Sequence, residues 1–98
     1  MTQLFVVYPQ RYVAKTAAYT LVAADDVVDC TSGTFTLTLE TAVGVTSRRH
    51  TLKNSGTGII TIATTSSQTI DGYVSGALTI LPGDAYVLVS NGANWIII

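Results

Sequence analysis

Two side chains in this sequence, Cys30 and His50, could form a nucleophile–base pair. A reactive thiolate needs a positively charged neighbour and an open cleft, whereas Cys30 follows a short apolar run and is expected to pack as a small apolar residue. His50 directly follows Arg48 and Arg49. Their charges would disfavour an imidazolium and make His50 a poor general base. We therefore predict that the protein is not an enzyme.

Three aspartates, Asp25, Asp26 and Asp29, could offer oxygen ligands to Ca²⁺. Their spacing and the absence of loop glycines do not match a calcium loop, so we interpret them mainly as turn-capping residues at the start of a strand, with a structural cation as the minor alternative. The single cysteine excludes an internal disulfide and a multi-cysteine zinc site. The sequence predicts no cofactor and no metal.

Arg48, Arg49, His50 and Lys53 form the one basic cluster. Alternation along a strand would place Arg49 and Lys53 on one face with Thr51. The net charge of −1 gives no long-range attraction for nucleic acid or an anionic membrane, so a solvated strand face is the favoured interpretation.

Three aromatic residues near predicted loops, Tyr73, Tyr86 and Trp95, could stack on carbohydrate. Trp95 begins an apolar C-terminal strand, which favours packing in the core or at a seam between subunits. A glycan remains a possible partner.

Period-2 alternation dominates the rest of the chain and predicts strands with one buried face. In residues 34–39 it places Phe35, Leu37 and Leu39 on one face and threonines on the other, and residues 60–62 and 78–80 repeat the scheme. Residues 85–90 and 95–98 are apolar on both faces, as in strands within a sandwich or against a partner chain. Short turns rich in Gly, Asn, Asp and Pro separate these runs. We predict an all-β fold, a small antiparallel β-sandwich or barrel-like domain.

The 98 residues allow one domain. We assign residues 16–98 to the β-sandwich module, in which residues 16–24 could form one helical turn. The repeated pattern of hydrophobic residue, threonine, hydrophobic residue is irregularly spaced, so we attribute it to strand chemistry, not to a repeat architecture.

Residues 1–15 form an N-terminal arm in which Pro9 ends a first apolar run. The segment carries three aromatics, Phe5, Tyr8 and Tyr12, which is more than a solvated tail needs. Two hypotheses stay open: the arm docks on a neighbouring subunit, or it is the first strand of the sandwich.

Hydrophobic residues make up 48% of the chain and charged residues 11%, against roughly 25% charged in average domains. A small domain cannot hide so much apolar surface alone, which predicts a homo-oligomer. No apolar run approaches the roughly 18 residues of a membrane span, and no signal peptide is evident. We expect a soluble, unprocessed and complete gene product that folds in a compartment compatible with reduced cysteine.

From Tyr19 onward the sequence resembles a small β-module of tailed-bacteriophage virion proteins. The likeness rests on residues 19–21, 25–33, 36–39, 49–54, 60–62 and 68–72, and on a closing stretch, 83–95, that ends in a strand, an Asn-Gly turn and Asn-Trp. The resemblance implies a trimer-forming β-fold in tail fibres, tail tips or head-surface proteins, without catalysis. Such modules usually belong to longer fibre chains, whereas here the module stands behind a short arm, which favours a separately added surface subunit.

The sequence thus predicts a virion protein, assembled in the host bacterial cytoplasm, that decorates the capsid as an oligomer, most simply a homotrimer. Its partners would be itself and the major capsid protein or other virion proteins. The arm would contact the shell, and the C-terminal strand would lie at subunit seams; the residues assigned to these contacts are Phe5, Val7, Tyr8 and Tyr12, and Trp95, Ile96 and Ile98. The alternative is a tail-fibre or tail-tip module that binds a host glycan or another tail protein.

Overall fold

The computed structural model describes residues 11–98, which form two β-sheets. The strands are β1 (Arg11–Lys15), β2 (Tyr19–Thr20), β3 (Asp25–Cys30), β4 (Thr36–Thr38), β5 (Arg49–Asn54), β6 (Ile60–Ala63), β7 (Leu78–Ile80), β8 (Ala85–Ser90) and β9 (Trp95–Ile97). Five strands form one sheet in the order β1-β3-β5-β8-β9, and four form the other in the order β2-β4-β6-β7. The prediction of an all-β fold is confirmed.

Alternation of side chains explains where these strands lie. Leu37 and Leu39 are buried on the side of β4 that faces the core, while Thr36 and Thr38 point outward. The predicted strands at 60–62, 78–80, 85–90 and 95–98 appear as β6, β7, β8 and β9. The loop between β8 and β9 has four residues, and its Asn91 side chain accepts hydrogen bonds from the N–H groups of Ala93 and Asn94.

Strand direction differs from the prediction of an antiparallel fold. From β1 to β6 the chain crosses to the other sheet after every strand, so the neighbours within each sheet run parallel: β1 with β3, β3 with β5, β2 with β4, and β4 with β6. Antiparallel pairs are formed by β5 with β8, β6 with β7, and β8 with β9. The antiparallel prediction was wrong for the first half of the chain because turns such as residues 31–33 connect different sheets and not adjacent strands.

The crossing also gives meaning to the repeated threonine pattern. Leu37 of β4 pairs with Ile62 of β6, and Thr36 pairs with Thr61, so the similar segments are parallel neighbours in register. The same holds in the other sheet for Val28 and Leu52. The pattern therefore reflects stacked strands, which irregular spacing along the chain had concealed.

Inward side chains of both sheets form one core. Its fully buried members are Leu21, Val28, Cys30, Leu37, Leu39, Ala42, Leu52, Ile60, Ile62, Ile70, Ile80, Leu88 and Trp95. Most are aliphatic or branched at Cβ, as pleated strands favour.

Asn54 is a polar member of the interior that joins the two sheets. Its amide nitrogen donates to the carbonyl oxygens of Gly58, at 2.8 Å, and Ile80, at 2.9 Å. Its side-chain oxygen accepts from the N–H of Gly56 at 3.1 Å. Because Asn54 lies in β5 and Ile80 in β7, the side chain fixes one sheet against the other.

The N-terminal part of the described chain differs from one prediction and agrees with one of the two open hypotheses. None of residues 11–98 is helical, so the helical turn predicted within 16–24 is wrong; Tyr19 and Thr20 form β2 there, paired with β4. Residues 11–15 of the predicted arm form an edge strand of the five-stranded sheet, as the hypothesis of a first strand expects. Within residues 11–98 no helix is available to span a membrane.

Candidate interaction face

The outer side of the five-stranded sheet is largely apolar. Tyr12, Val27, Thr51 and Val87 follow one another in register across β1, β3, β5 and β8. Ile98 continues this row, since its N–H donates to the carbonyl oxygen of Val87. Val89 and Ile96 form a second row beside it. We call this surface the valine face and define it by Tyr12, Val27, Thr51, Val87, Val89, Ile96 and Ile98.

The valine face contains three of the residues predicted from sequence to make contacts. Tyr12 and Ile98 are each 61% exposed, and Ile96 is half-buried. Trp95 is instead fully buried and packs against His50 with ring centroids 5.4 Å apart, so it belongs to the core and does not reach a subunit seam. Phe5, Val7 and Tyr8 lie outside the described residues.

Sequence reasoning missed the valines at the centre of this face, Val27, Val87 and Val89. Their outward orientation was available from β8, where Leu88 and Ser90 are buried and the intervening valines must point the other way. The sequence showed that residues 85–90 are apolar on both sides. It did not show that β3 and β5 lie in the same sheet as β8 and continue its outer surface.

Charged residues of both signs border the valine face. Asp29 and Lys53 are partners in register on β3 and β5, and Arg49 pairs with Val89 at the other side of the main row. Arg49, Thr51 and Lys53 share this outer side, which confirms the predicted stripe. The hydroxyl of Tyr12 donates to the Asp29 carboxylate at 2.6 Å, and this hydrogen bond raises the pKa of Tyr12.

The outer side of the four-stranded sheet has different chemistry. Thr36, Thr61 and Thr79 stand in register across β4, β6 and β7, and Thr20, Thr38 and Ala63 form a second row. We call this surface the threonine face and define it by these six residues. Threonine combines the branched Cβ that strands favour with a hydroxyl that water can hydrate.

Loop residues 69–71 hold β9 at the edge of the five-stranded sheet. The N–H of Trp95 donates to the carbonyl oxygen of Thr69, and the N–H of Asp71 donates to that of Trp95. The Asp71 carboxylate also accepts from the N–H of Ile97 at 3.2 Å. These bonds fix the strand that carries Ile96.

Asp25 is buried and anchors β1. Its carboxylate accepts from Arg11 of β1, from the Tyr19 hydroxyl at 2.6 Å and from the N–H of Val22 at 3.0 Å. Burial opposes ionisation of Asp25, but the bonds from Tyr19, Val22 and Arg11 outweigh it and lower the pKa. The Val22 bond is the predicted turn cap, and within residues 11–98 no three His, Cys, Asp or Glu side chains group closely enough to hold a metal.

His50 is also buried, and both ring nitrogens are engaged. Nδ1 lies 2.7 Å from the carbonyl oxygen of Asp25, to which it must donate. Nε2 lies 2.8 and 2.9 Å from the Glu40 oxygens, and Arg48 approaches the same carboxylate at 3.6 Å. The hydrogen bond between His50 and Glu40 and the ion pair between Arg48 and Glu40 thus connect β5 to the loop after β4.

Cys30 and His50 lie at opposite ends of the parallel strands β3 and β5, where Cys30 is the register partner of Asn54. It is buried, and burial, with a contribution from Asp29, raises the pKa of its thiol to about 11. A buried thiol with a raised pKa is weakly reactive. The structure does not bring Cys30 together with His50, its candidate base.

The three aromatic residues considered for carbohydrate stacking differ in burial. Tyr73 is 53% exposed, after a tight turn in which Asp71 and Gly72 both have positive φ. Tyr86 packs against the core and its hydroxyl donates to the carbonyl oxygen of Thr79, while Trp95 is buried. Of the three, Tyr73 alone presents its ring to a large ligand.

Comparison of the chain with models of protein families, with curated proteins and with solved structures gives no match.

Proposed function

We propose that the protein is a structural subunit of a virus particle whose copies associate through the valine face. The observation that carries this proposal is the outer apolar surface of a sheet whose inner side already forms the core. Extended apolar surface on a small domain is a feature of interaction sites. The two sheets would form a β-sandwich with one side reserved for assembly.

The occupant of the valine face is a second copy of the chain. Asp29 carries a negative charge and Lys53 carries a positive charge beside one apolar centre, so the same surface supplies both members of intersubunit ion pairs. The threonine face would remain hydrated. The high apolar fraction of the chain, with a mean hydropathy of +0.44, fits this requirement for burial between copies.

In the particle, the oligomer would decorate the capsid, as the resemblance to bacteriophage virion modules implies, and three copies would form each unit. Stable attachment needs on the order of 1,000 Å² of interface. No catalytic role is proposed.

Two variants at matched positions test the self-association. Val87→Lys places a charge at the centre of the valine face, and Thr61→Lys places the same charge at the centre of the threonine face; each position lies on a strand with neighbours on both sides. We expect sedimentation of the wild type and of Thr61→Lys to give a trimer, and of Val87→Lys to give a folded monomer. A wild-type monomer, or equal behaviour of the variants, would contradict the proposal.

The place in the particle is tested by counting copies in purified virions with quantitative mass spectrometry and locating them by antibody labelling. Several hundred copies on the head support decoration. A handful at one end supports the tail alternative, for which exposed Tyr73 is the specific observation. A glycan-array signal that Tyr73→Ala abolishes would then identify the ligand class.

A further inference from the structure

A cavity of about 560 Å³ lies between two turns, away from the centre of the valine face. One wall contains Ala23 and Ala24, and the other contains Gly44, Thr46 and Ser47. The small side chains of the alanines and the glycine leave the space open. Its volume lies within the range of roughly 300–1,000 Å³ typical of small-molecule sites.

Both walls are held by hydrogen bonds. Ala23 and Ala24 are the middle residues of a turn closed by two bonds between Val22 and Asp25, one from each N–H group. The second wall includes the turn from Val45 to Arg48, closed by their backbone bond of 2.9 Å.

The second wall is also tied to β8. The N–H of Ser47 donates to the carbonyl oxygen of Ser90, and the N–H of Ser90 donates to that of Arg48. A cavity fixed in this way needs little ordering when a ligand binds.

The charge of the cavity comes from Arg48 and Arg49, which both line it. Arg48 approaches the Glu40 carboxylate at 3.6 Å, beside His50, and within residues 11–98 it forms no other salt bridge. Arg49 is exposed and, within residues 11–98, forms no salt bridge. A guanidinium presents paired N–H donors that match the oxygens of a carboxylate or a phosphate.

We propose that this cavity binds a saccharide that carries a carboxylate or a phosphate. The arginines bind the anionic group, the hydroxyls of Thr46 and Ser47 bond to sugar hydroxyls, and the alanines contact the C–H face of the ring. The proposal concerns a site separate from the valine face and does not depend on self-association.

The test is a titration followed by ¹H–¹⁵N NMR with four probes: glucuronate, glucose 6-phosphate, glucose and inorganic phosphate. We expect saturable shifts at residues 23–24 and 44–49 with at least one of the two anionic sugars, and at least about tenfold weaker binding of glucose and of inorganic phosphate. Glucuronate against glucose 6-phosphate distinguishes the carboxylate from the phosphate. Equal affinity for inorganic phosphate and glucose 6-phosphate, without glucuronate binding, would overturn the saccharide assignment.

Three variants locate the binding. Arg49→Gln removes one guanidinium, and Ala24→Leu fills the cavity while both arginines remain; each is expected to weaken binding at least about tenfold. Lys15→Gln removes the same charge at a position outside the cavity and should leave the affinity unchanged. Wild-type affinity in both cavity variants, or shifts elsewhere on the protein, would overturn the site. Sedimentation of the same samples tests oligomerisation independently.

Discussion

The valine face and the threonine face are the outer sides of two sheets that share one core, and at several positions they differ by the choice between valine and threonine. Valine and threonine both branch at Cβ, and threonine replaces a methyl group with a hydroxyl. Across the threonine face, Thr36, Thr61 and Thr79 stand in register; across the valine face, Val27, Thr51 and Val87 do the same. Strand formation accepts either residue, so the choice changes the polarity of the face without changing the fold.

In each sheet the inner side forms the core and the outer side meets the surroundings, so the two sides have different requirements. The inner residues Leu37, Ile62, Leu52 and Leu88 stabilise the chain, whichever outer residue follows them. In the proposed function, the outer residues then specify association on one sheet and hydration on the other. Substitutions in the core or on either face can test this comparison.

The largest expected effect comes from Asn54, which holds the two sheets together. Asn54→Leu removes three hydrogen bonds and leaves the groups of Gly56, Gly58 and Ile80 without this partner, so the free energy of unfolding should fall by at least about 2 kcal/mol. Urea denaturation measures the change. Asn91→Ala, in an exposed turn, is the control and should cost about 1 kcal/mol or less. Similar losses for the two variants would show that Asn54 does not join the sheets energetically.

Exchanging the chemistry of the faces gives the next effect. In the double variant Val87→Thr, Val89→Thr the strand keeps its branched side chains while the valine face gains hydroxyls. The apparent dissociation constant of the oligomer should rise at least about tenfold. Sedimentation over a range of concentrations measures it, and an unchanged dissociation constant would contradict the assignment of the valine face as the interface.

The reverse exchange, Thr61→Val with Thr79→Val, sharpens the same comparison. It gives the molecule a second apolar face. A subunit with two separate association surfaces can form open-ended assemblies, whereas a subunit with one such surface forms a closed oligomer. We expect species larger than the wild-type oligomer, in amounts that grow with concentration, detected by light scattering. A wild-type size distribution would show that hydration of the threonine face does not limit association.

Acid should loosen the valine face before the threonine face, because Asp25 anchors β1, which carries Tyr12. The pKa of Asp25 is lowered in the folded protein, so the unfolded chain binds a proton first, and the stability from this group is present above its ordinary pKa of 3.8 and lost as the pH falls. Hydrogen exchange of β1 should accelerate below about pH 4, ahead of β6.

Asp25→Asn provides the matched comparison for this acid effect. The variant should reduce the pH dependence of unfolding, whereas Asp26→Asn, on the same strand and without an ion pair in the described chain, should retain it. Equal pH profiles for the wild type and Asp25→Asn would exclude Asp25 as the source.

The last prediction is kinetic and reports on the sheet beneath the valine face without a substitution. Cys30 is buried on the inner side of β3, and its pKa is raised to about 11. At pH 8, alkylation of the native protein should be at least about a hundredfold slower than in urea. Reaction at the unfolded rate would show that the five-stranded sheet opens readily.

The sequence predicted most strands because burial on one side leaves an alternating pattern that can be read locally. Residues 60–62 illustrate this success, since the predicted segment lies within β6 and both of its isoleucines are buried. Strand direction was not available in the same way. Whether the turn after Cys30 leads back along the same sheet or across to the other depends on packing between sheets, which local residue patterns do not encode.

The candidate site was predicted in part for the same reason. Ile96 and Ile98 could be assigned to a surface from the apolar C-terminal run, but Trp95 could not be separated from them before its inward direction was known. The cavity was missed because its arginines follow Ser47 in sequence while its alanines belong to a distant turn. Only folding brings these two turns together.

The order of strands has a consequence for synthesis of the chain. β1 and β3 emerge from the ribosome before β5, and β5 is completed as a sheet strand only when β8 arrives beside it. We expect the nascent N-terminal half to remain without stable structure until β8 and β9 are released, so that folding of the domain and formation of the valine face coincide.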